Sequence, residues 1–239
     1  MITLQEHLDR LALGCLSNTS LISEESGSIR ESAMTTVIAA LNVAILAIHS
    51  RITLRYKTVY IHEVPGMGTY TLDEKYTFRK RDEYEAEQDP FSPDYVPYPY
   101  IPFIEEAEDL YQNDLLTIEC LSDDSGKRYL TTLSQVGTLT LNFDRVPGKR
   151  YTLRYRSRGT VIPYDALTDY VVDVPNIALP ALDAYVAYEI FLGLGSNEAL
   201  GRVRDHMSAY ETHLMRLTEH LVTDSESETT EGFIRNGWV

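Results

Sequence analysis

The sequence is poor in several of the residues on which much protein chemistry depends. Among 239 residues there are two cysteines, one tryptophan and 21 basic side chains against 36 acidic ones. Cys15 and Cys120 lie far apart, with no CxxC pair and no neighbouring histidine, so they read as reduced, packed thiols of a cytoplasmic product. The first residues, Met1 to Glu6, lack the basic stretch and apolar run of a signal peptide, and export by that route is not expected. The most apolar run, Ala33 to Ile48, is interrupted by Thr35, Thr36 and Asn42 and falls short of the roughly 20 residues that span a bilayer. It reads as a buried helix, with no membrane association expected.

Motifs for catalysis are missing as well. There is no GxSxG elbow, no GxxxxGK[ST] loop, no HExxH and no glycine-rich dinucleotide turn. Adjacent acids, Glu105 with Glu106 and Asp123 with Asp124, point apart in a strand or a helix and read as solvated charge pairs rather than a glycosidase pair. His206, His213 and His220 recur every seven residues, but successive rungs stand about 10 Å apart on a helix. One metal ion cannot bridge that gap within a chain. They read as packing at the edge of a helix seam, the alternative being a pH-sensitive interface. No enzymatic activity, cofactor or metal is expected.

The formal charge of −15 repels a polyanion and weighs against tight nucleic-acid binding. It serves either simple solubility or a wall past which DNA slides without sticking.

The composition is that of a folding globular chain, and its periodicity divides it into helical ends and a β-rich middle. Leu4 to Leu16 has helical apolar spacing. Ser28 and Glu31 are spaced as a capping box for a long helix to about Ser50 whose apolar residues occupy more than one side. From Ile52 the pattern changes to Thr, Tyr and Val at 53–63, with Thr69 to Leu72 as a hairpin return. Further strands are expected from Leu116/Ile118/Cys120, Leu139/Leu141/Phe143 and Tyr151/Leu153/Tyr155, the last two joined by a hairpin at Pro147 and Gly148. Between them, 79–109 is charged and then dense in Pro and Tyr, an extended excursion without sheet bonds. Helices return at about Leu179, with Pro180 in the first turn. A last helix runs to about Thr223 with the seam Leu200, Val203, Met207, Tyr210, Leu214, Leu217, Leu221.

The expected class is therefore α+β: a discontinuous helical bundle from both chain ends, 1–51 and 177–224, with an inserted antiparallel β domain, 52–176. Residues 225–239 read as a flexible acidic tether ending in Phe233, Ile234, Arg235, Trp238 and Val239, large groups suited to docking on a neighbour. Arg150, Arg154, Arg156 and Arg158 share one strand face opposite Tyr151, Leu153 and Tyr155. That stripe reads as an inter-subunit basic surface for an acidic patch, or equally as an edge that blocks strand aggregation.

The order of these features resembles the head-to-tail adaptors, or tail tubular proteins, of short-tailed bacteriophages. Asp173, Val174 and Pro175 lead into Leu182, Ala184, Tyr185, Val186, Ala187 and Ile190 much as in that family. Ala209, Tyr210, Glu211, Leu214 and Leu217 look like its last helix, and Arg235, Asn236, Gly237, Trp238 and Val239 like its endings. Leu41, Asn42, Ala44 and Ile45, followed by Arg51 and a strand, look like its helix-to-strand entry. The resemblance implies a virion protein of the tail or neck, made in the host cytoplasm. It implies a homo-oligomer, a dodecameric ring, whose partners are the portal protein, the tail nozzle protein and, at its sides, tail fibres. DNA would pass through without specific binding. Twelve copies at −15 would line the channel with a charge of about −180. The competing reading is a neck or tail-fibre attachment module without a central ring.

Overall fold

The computed structural model describes residues 2–62, 69–72, 74, 77–78, 91–93, 104–106, 111–129, 132–136, 138–142, 150–166, 169–195 and 197–235, the stretch 221–235 by its backbone alone. The fold is α+β. The chain forms two compact units: Met1–Leu54 with Gly159–Val239, which is helical, and Arg55–Arg158, which is β.

The helical unit begins with α1 (Leu4–Leu13), started by a complete capping box. The Thr3 amide donates to Glu6 Oε2 at 2.9 Å and the Glu6 amide to Thr3 Oγ1 at 3.3 Å, so two of the helix's orphan donors are satisfied reciprocally. The short strand β1 (Ile2–Thr3) pairs antiparallel with β11 (Val171–Val172), which ties the start of the chain to its returning half. Helix α2 (Glu31–Arg51) buries Val37, Ile38, Leu41, Ala44, Ile45 and Ile48. Its start differs from the Ser28 capping box. The N-cap is Arg30, with no side-chain cap bond. The reason is local: Ile29 forms a β-bridge to Ile22, and the Arg30 amide donates to Leu21 O, so Ser28 is held in a tight turn instead.

A 3₁₀ turn (Asn176–Ala178) leads into α3 (Leu179–Leu194), with proline in its first turn and left-handed Gly195 at φ 63° as its C-cap. Gly195 takes that conformation without Cβ strain. Helix α4 (Asn197–Arg235) packs back on α3 through Tyr210, Leu214 and Leu217, all buried. Full burial of each such leucine contributes about 2 kcal/mol. The expected seam is therefore present in its centre, while Leu200 stands half exposed. The backbone stays helical to Arg235 rather than ending near Thr223. No proline or glycine interrupts 202–231, so nothing in the polar stretch breaks the helical hydrogen-bond ladder.

The return to the helical unit occurs at Gly159, not at 177. Asn42 of α2 explains this: its Nδ2 donates to Ile162 O at 2.9 Å and its Oδ1 accepts from the Ile162 amide at 2.8 Å. An amide side chain thus pairs with the backbone as a neighbouring strand would, and Ile162, Val172 and Val174 join the helical core.

Among the described residues the β unit contains two sheets. The six-stranded sheet has the order β4 (Thr77–Phe78), β5 (Ile104–Glu106), β2 (Tyr56–His62), β10 (Arg150–Ser157), β6 (Leu115–Asp123), β7 (Arg128–Tyr129), antiparallel except for β4 with β5. The three-stranded sheet is β3 (Thr69–Leu72), β9 (Thr138–Asn142), β8 (Thr132–Val136). Strand β10 is central because every second residue, Tyr151, Leu153 and Tyr155, is fully buried. They pack with Val59, Ile61, Leu121 and Tyr111.

Several strand expectations change. β3 pairs with β9, so it is not a hairpin return onto β2, and β9 and β10 lie in different sheets, so no hairpin joins them. Alternation shows which residues share a face but not which strand lies alongside. In β6 a register shift opposite Arg154 and Tyr155 moves the buried set to Leu121 and Asp123. The excursion at 79–109 lies mostly outside the described residues, but 104–106 is a bonded strand, paired with β2.

Candidate assembly interfaces

The outward face of the large sheet carries the basic stripe. On β10 the residues Arg150, Thr152, Arg154 and Arg156 alternate with the buried tyrosines. On β2 the register sets Tyr60 opposite Thr152 and Tyr56 opposite Arg156. Two arginines therefore stack on tyrosine rings, Arg150 over Tyr60 at 4.5 Å and Arg154 over Tyr56 at 4.3 Å. Such cation–π contacts hold a guanidinium flat and leave its N–H edge free to donate. Arg150 uses that edge on Asp124, at 3.2 Å. The other half of the stripe is different: Arg156 and Arg158 are half-buried, each with its Nε out of solvent. The Arg158 amide donates to Asp114 O at 2.8 Å, fastening the end of β10.

Sequence reading missed Tyr56 and Tyr60, although their even spacing within a strand already set them on one face. It also placed Asp123 wrongly. Asp124 is exposed, but Asp123 is buried and accepts from the Ser125 amide at 2.9 Å, the Lys127 amide at 3.1 Å and the Tyr129 hydroxyl at 3.0 Å. The carboxylate organises the turn between β6 and β7 and is not a solvated charge.

On the helical unit, α2 and α3 leave apolar surface uncovered. Val43 and Leu46 on α2, and Leu192 and Leu194 on α3, are each exposed by more than two-fifths. A groove of about 330 Å³ between the two helices is lined by Leu21, Ala39, Ala40, Val43, Gly193 and Leu194, among others. Both α2 and the segment Asn176–Leu194 are long and apolar enough to cross a bilayer, by length and composition, and half of each is buried in the unit.

A second groove, of about 520 Å³, lies where α4 passes the start of α3; it is lined by Ile177, Pro180, His213, Arg216, Leu217, Glu219 and His220. Two of the heptad histidines thus edge one groove. The third, His206, stacks on Phe191 at 5.1 Å with the rings 11° apart, and burial lowers its pKa.

Each unit also buries an ionisable cluster absent from the sequence reading. In the helical unit, His7 is fully buried with both ring nitrogens lacking a hydrogen-bond partner; Nε2 stands 3.6 Å from Asp183 Oδ1, beyond bonding reach. Asp183 Oδ2 instead accepts from Arg10 Nε at 2.6 Å. Burial, aided by the Arg10 charge, lowers the His7 pKa to about 4. Burial raises the Asp183 carboxyl against the opposing pull of Arg10. The Cys15 thiol donates to Asp183 O at 3.6 Å, and burial pushes its pKa up to about 12, so it is an inert packed thiol. In the β unit, buried Asp114 meets Lys57 Nζ at 2.9 Å and accepts from Tyr155 Oη at 3.1 Å and Ser157 Oγ at 2.6 Å. Burial pushes its pKa up, but these bonds outweigh burial and hold it below the usual aspartate value.

Of the docking tail, Phe233, Ile234 and Arg235 lie on the helical backbone of α4, their side chains outside the description, and Trp238 and Val239 fall outside the described residues. Among the described residues no group of three or more His, Cys, Asp or Glu gathers within reach of one metal ion. No protein-family model matches the chain, and no curated protein matches its sequence.

Proposed function

We propose that this chain is a structural virion protein, the head-to-tail adaptor of a short-tailed bacteriophage, assembling as a dodecameric ring between portal and tail nozzle around the DNA channel. The observation that carries the reading is the helical unit built from both chain ends, which brackets an inserted β unit and leaves an apolar groove between α2 and α3. Exposed apolar surface of that kind marks a protein-binding face. The acidic formal charge of −15 fits a wall past which DNA moves without sticking.

The test is electron microscopy of the purified protein, alone and mixed with a portal ring from the same source. A closed ring stacked coaxially on the portal is expected, and removal of the residues after Asp224 should abolish that association while the protein still folds. A protein that never associates with the portal sinks the adaptor reading. The flat Arg/Tyr face of the large sheet favours a second reading, a neck or tail-fibre attachment module without a central ring, which would lose little on the same truncation.

A further inference from the structure

The outward face of the large sheet repeats one arrangement along β10, with one difference between its two copies. In the first, Arg150 stacks on Tyr60 and its guanidinium edge reaches the Asp124 carboxylate at 3.2 Å. In the second, four residues and so about 13 Å along the strand, Arg154 stacks on Tyr56. Among the described residues no carboxylate reaches it, Glu119 in the adjacent bulge included. Tyr56 keeps 46% of its surface exposed, so the platform is open. The first copy shows what the second accepts: a carboxylate presented to an arginine already held flat by a ring. An arginine so fixed loses little further side-chain entropy on pairing.

The chain itself carries a segment of matching chemistry. Asp224, Glu226, Glu228 and Glu231 fall within eight residues that contain no basic side chain. The backbone there continues helix α4, and Asp224, Glu228 and Glu231 recur at spacings of four and three, the repeat of one helix face. Leu217 is the last described core residue of that helix. The acids lie seven residues and more beyond Leu217 along the same helix.

We propose that the acidic segment 224–231 of one copy docks on the Arg154–Tyr56 platform of a second copy. Because the donor and acceptor patches differ, the contact is heterologous, and repetition of a heterologous contact closes a ring or extends a filament. The inference rests on the self-assembly that the adaptor reading requires, and not on the portal.

The experiment is sedimentation velocity of the full chain over a range of concentrations, at low and high salt. It compares the wild type with Arg154→Glu, with the neutralised segment (Asp224→Asn, Glu226→Gln, Glu228→Gln, Glu231→Gln), and with a mixture of the two. The wild type should give a concentration-dependent series of oligomers, weakened by salt. Each variant alone should associate at least roughly tenfold more weakly. In the mixture, only the acids of the Arg154→Glu copy can meet the platform of the neutralised copy. The mixture should therefore restore a one-to-one pair and nothing larger. Arg154→Gln with unchanged circular dichroism separates loss of the contact from loss of the fold. A wild type that stays monomeric at every concentration overturns the inference while leaving portal association to its own test. So does self-association that Arg154→Glu leaves intact. Loss with Arg154→Glu but not on neutralising the segment overturns the choice of occupant and points to a different acidic surface of the same chain.

Discussion

The helical unit and the β unit each enclose an ionisable side chain, and they accommodate it in opposite ways. His7 is buried without a hydrogen bond to either nitrogen and is held neutral. Asp114 is buried with Lys57, Tyr155 and Ser157 around it and is held charged. The difference follows from the elements that supply partners. A sheet brings side chains from adjacent strands and the loops beside them within hydrogen-bond distance of one carboxylate, and their donors offset its desolvation. Helices meet through ridges of apolar side chains, and His7 stands 3.6 Å from the Asp183 carboxylate, out of bonding reach, so shedding its proton relieves the cost of burial. A buried charge thus reports on the architecture around it.

The largest expected effect comes from breaking the satisfied cluster. Asp114→Asn keeps the shape but removes the buried negative charge on which the Lys57 ammonium and the Tyr155 and Ser157 hydroxyls converge, and should cost the β unit about 3 kcal/mol or more. Hydrogen exchange of the β10 amides measures this; unchanged protection would mean that the cluster contributes nothing net.

Acid should separate the two units next. His7 has a folded pKa of about 4 against an ordinary 6.5, so between those values the unfolded chain binds more protons. The contribution of His7 is complete above pH 6.5, falls as pH drops and is lost near 4, a change of about 3 kcal/mol. Asp114 has a depressed pKa, so its contribution holds to lower pH and is lost only below the ordinary aspartate range. Urea midpoints taken across this window should therefore fall first for the helical unit, and His7→Leu should flatten that slope. Simultaneous loss in both units would remove the distinction.

Gly159 carries the smallest of the three effects. It has φ +79°, and a Cβ there would meet His49 Nε2 at 2.7 Å. Gly159→Ala should destabilise the helical unit by about 2 kcal/mol through backbone strain and the displaced ring. Thermal denaturation is the check, and a neutral substitution would mean that the ring moves aside freely.

Much of the fold was legible because long periodic segments declare themselves. Val37, Leu41, Ala44 and Ile48 repeat as one helix face of α2, and Tyr151, Leu153 and Tyr155 alternate through a strand that proved central. Pro180 marked the first turn of α3 as its backbone preference requires. The Arg150/Arg154 stripe was visible in the same way, from parity alone. What stayed hidden was non-local. Nothing near Ser28 announced that Ile29 would bridge to Ile22, and nothing near Asp123 announced that Lys127 and Tyr129 would turn back to satisfy it.

The sequence by itself determined the class, the helical ends around a β-rich middle, and which residues share a face, because 3.6-residue and two-residue repeats are properties of the local backbone. Tertiary structure alone decided which strands lie side by side, that Asn42 draws the chain back into the helical unit before Val172, and that His7 is left unpaired while Asp114 is not. Those outcomes depend on residues far apart in sequence meeting at bonding distance, and the free energy that selects them exists only once both sides are in place.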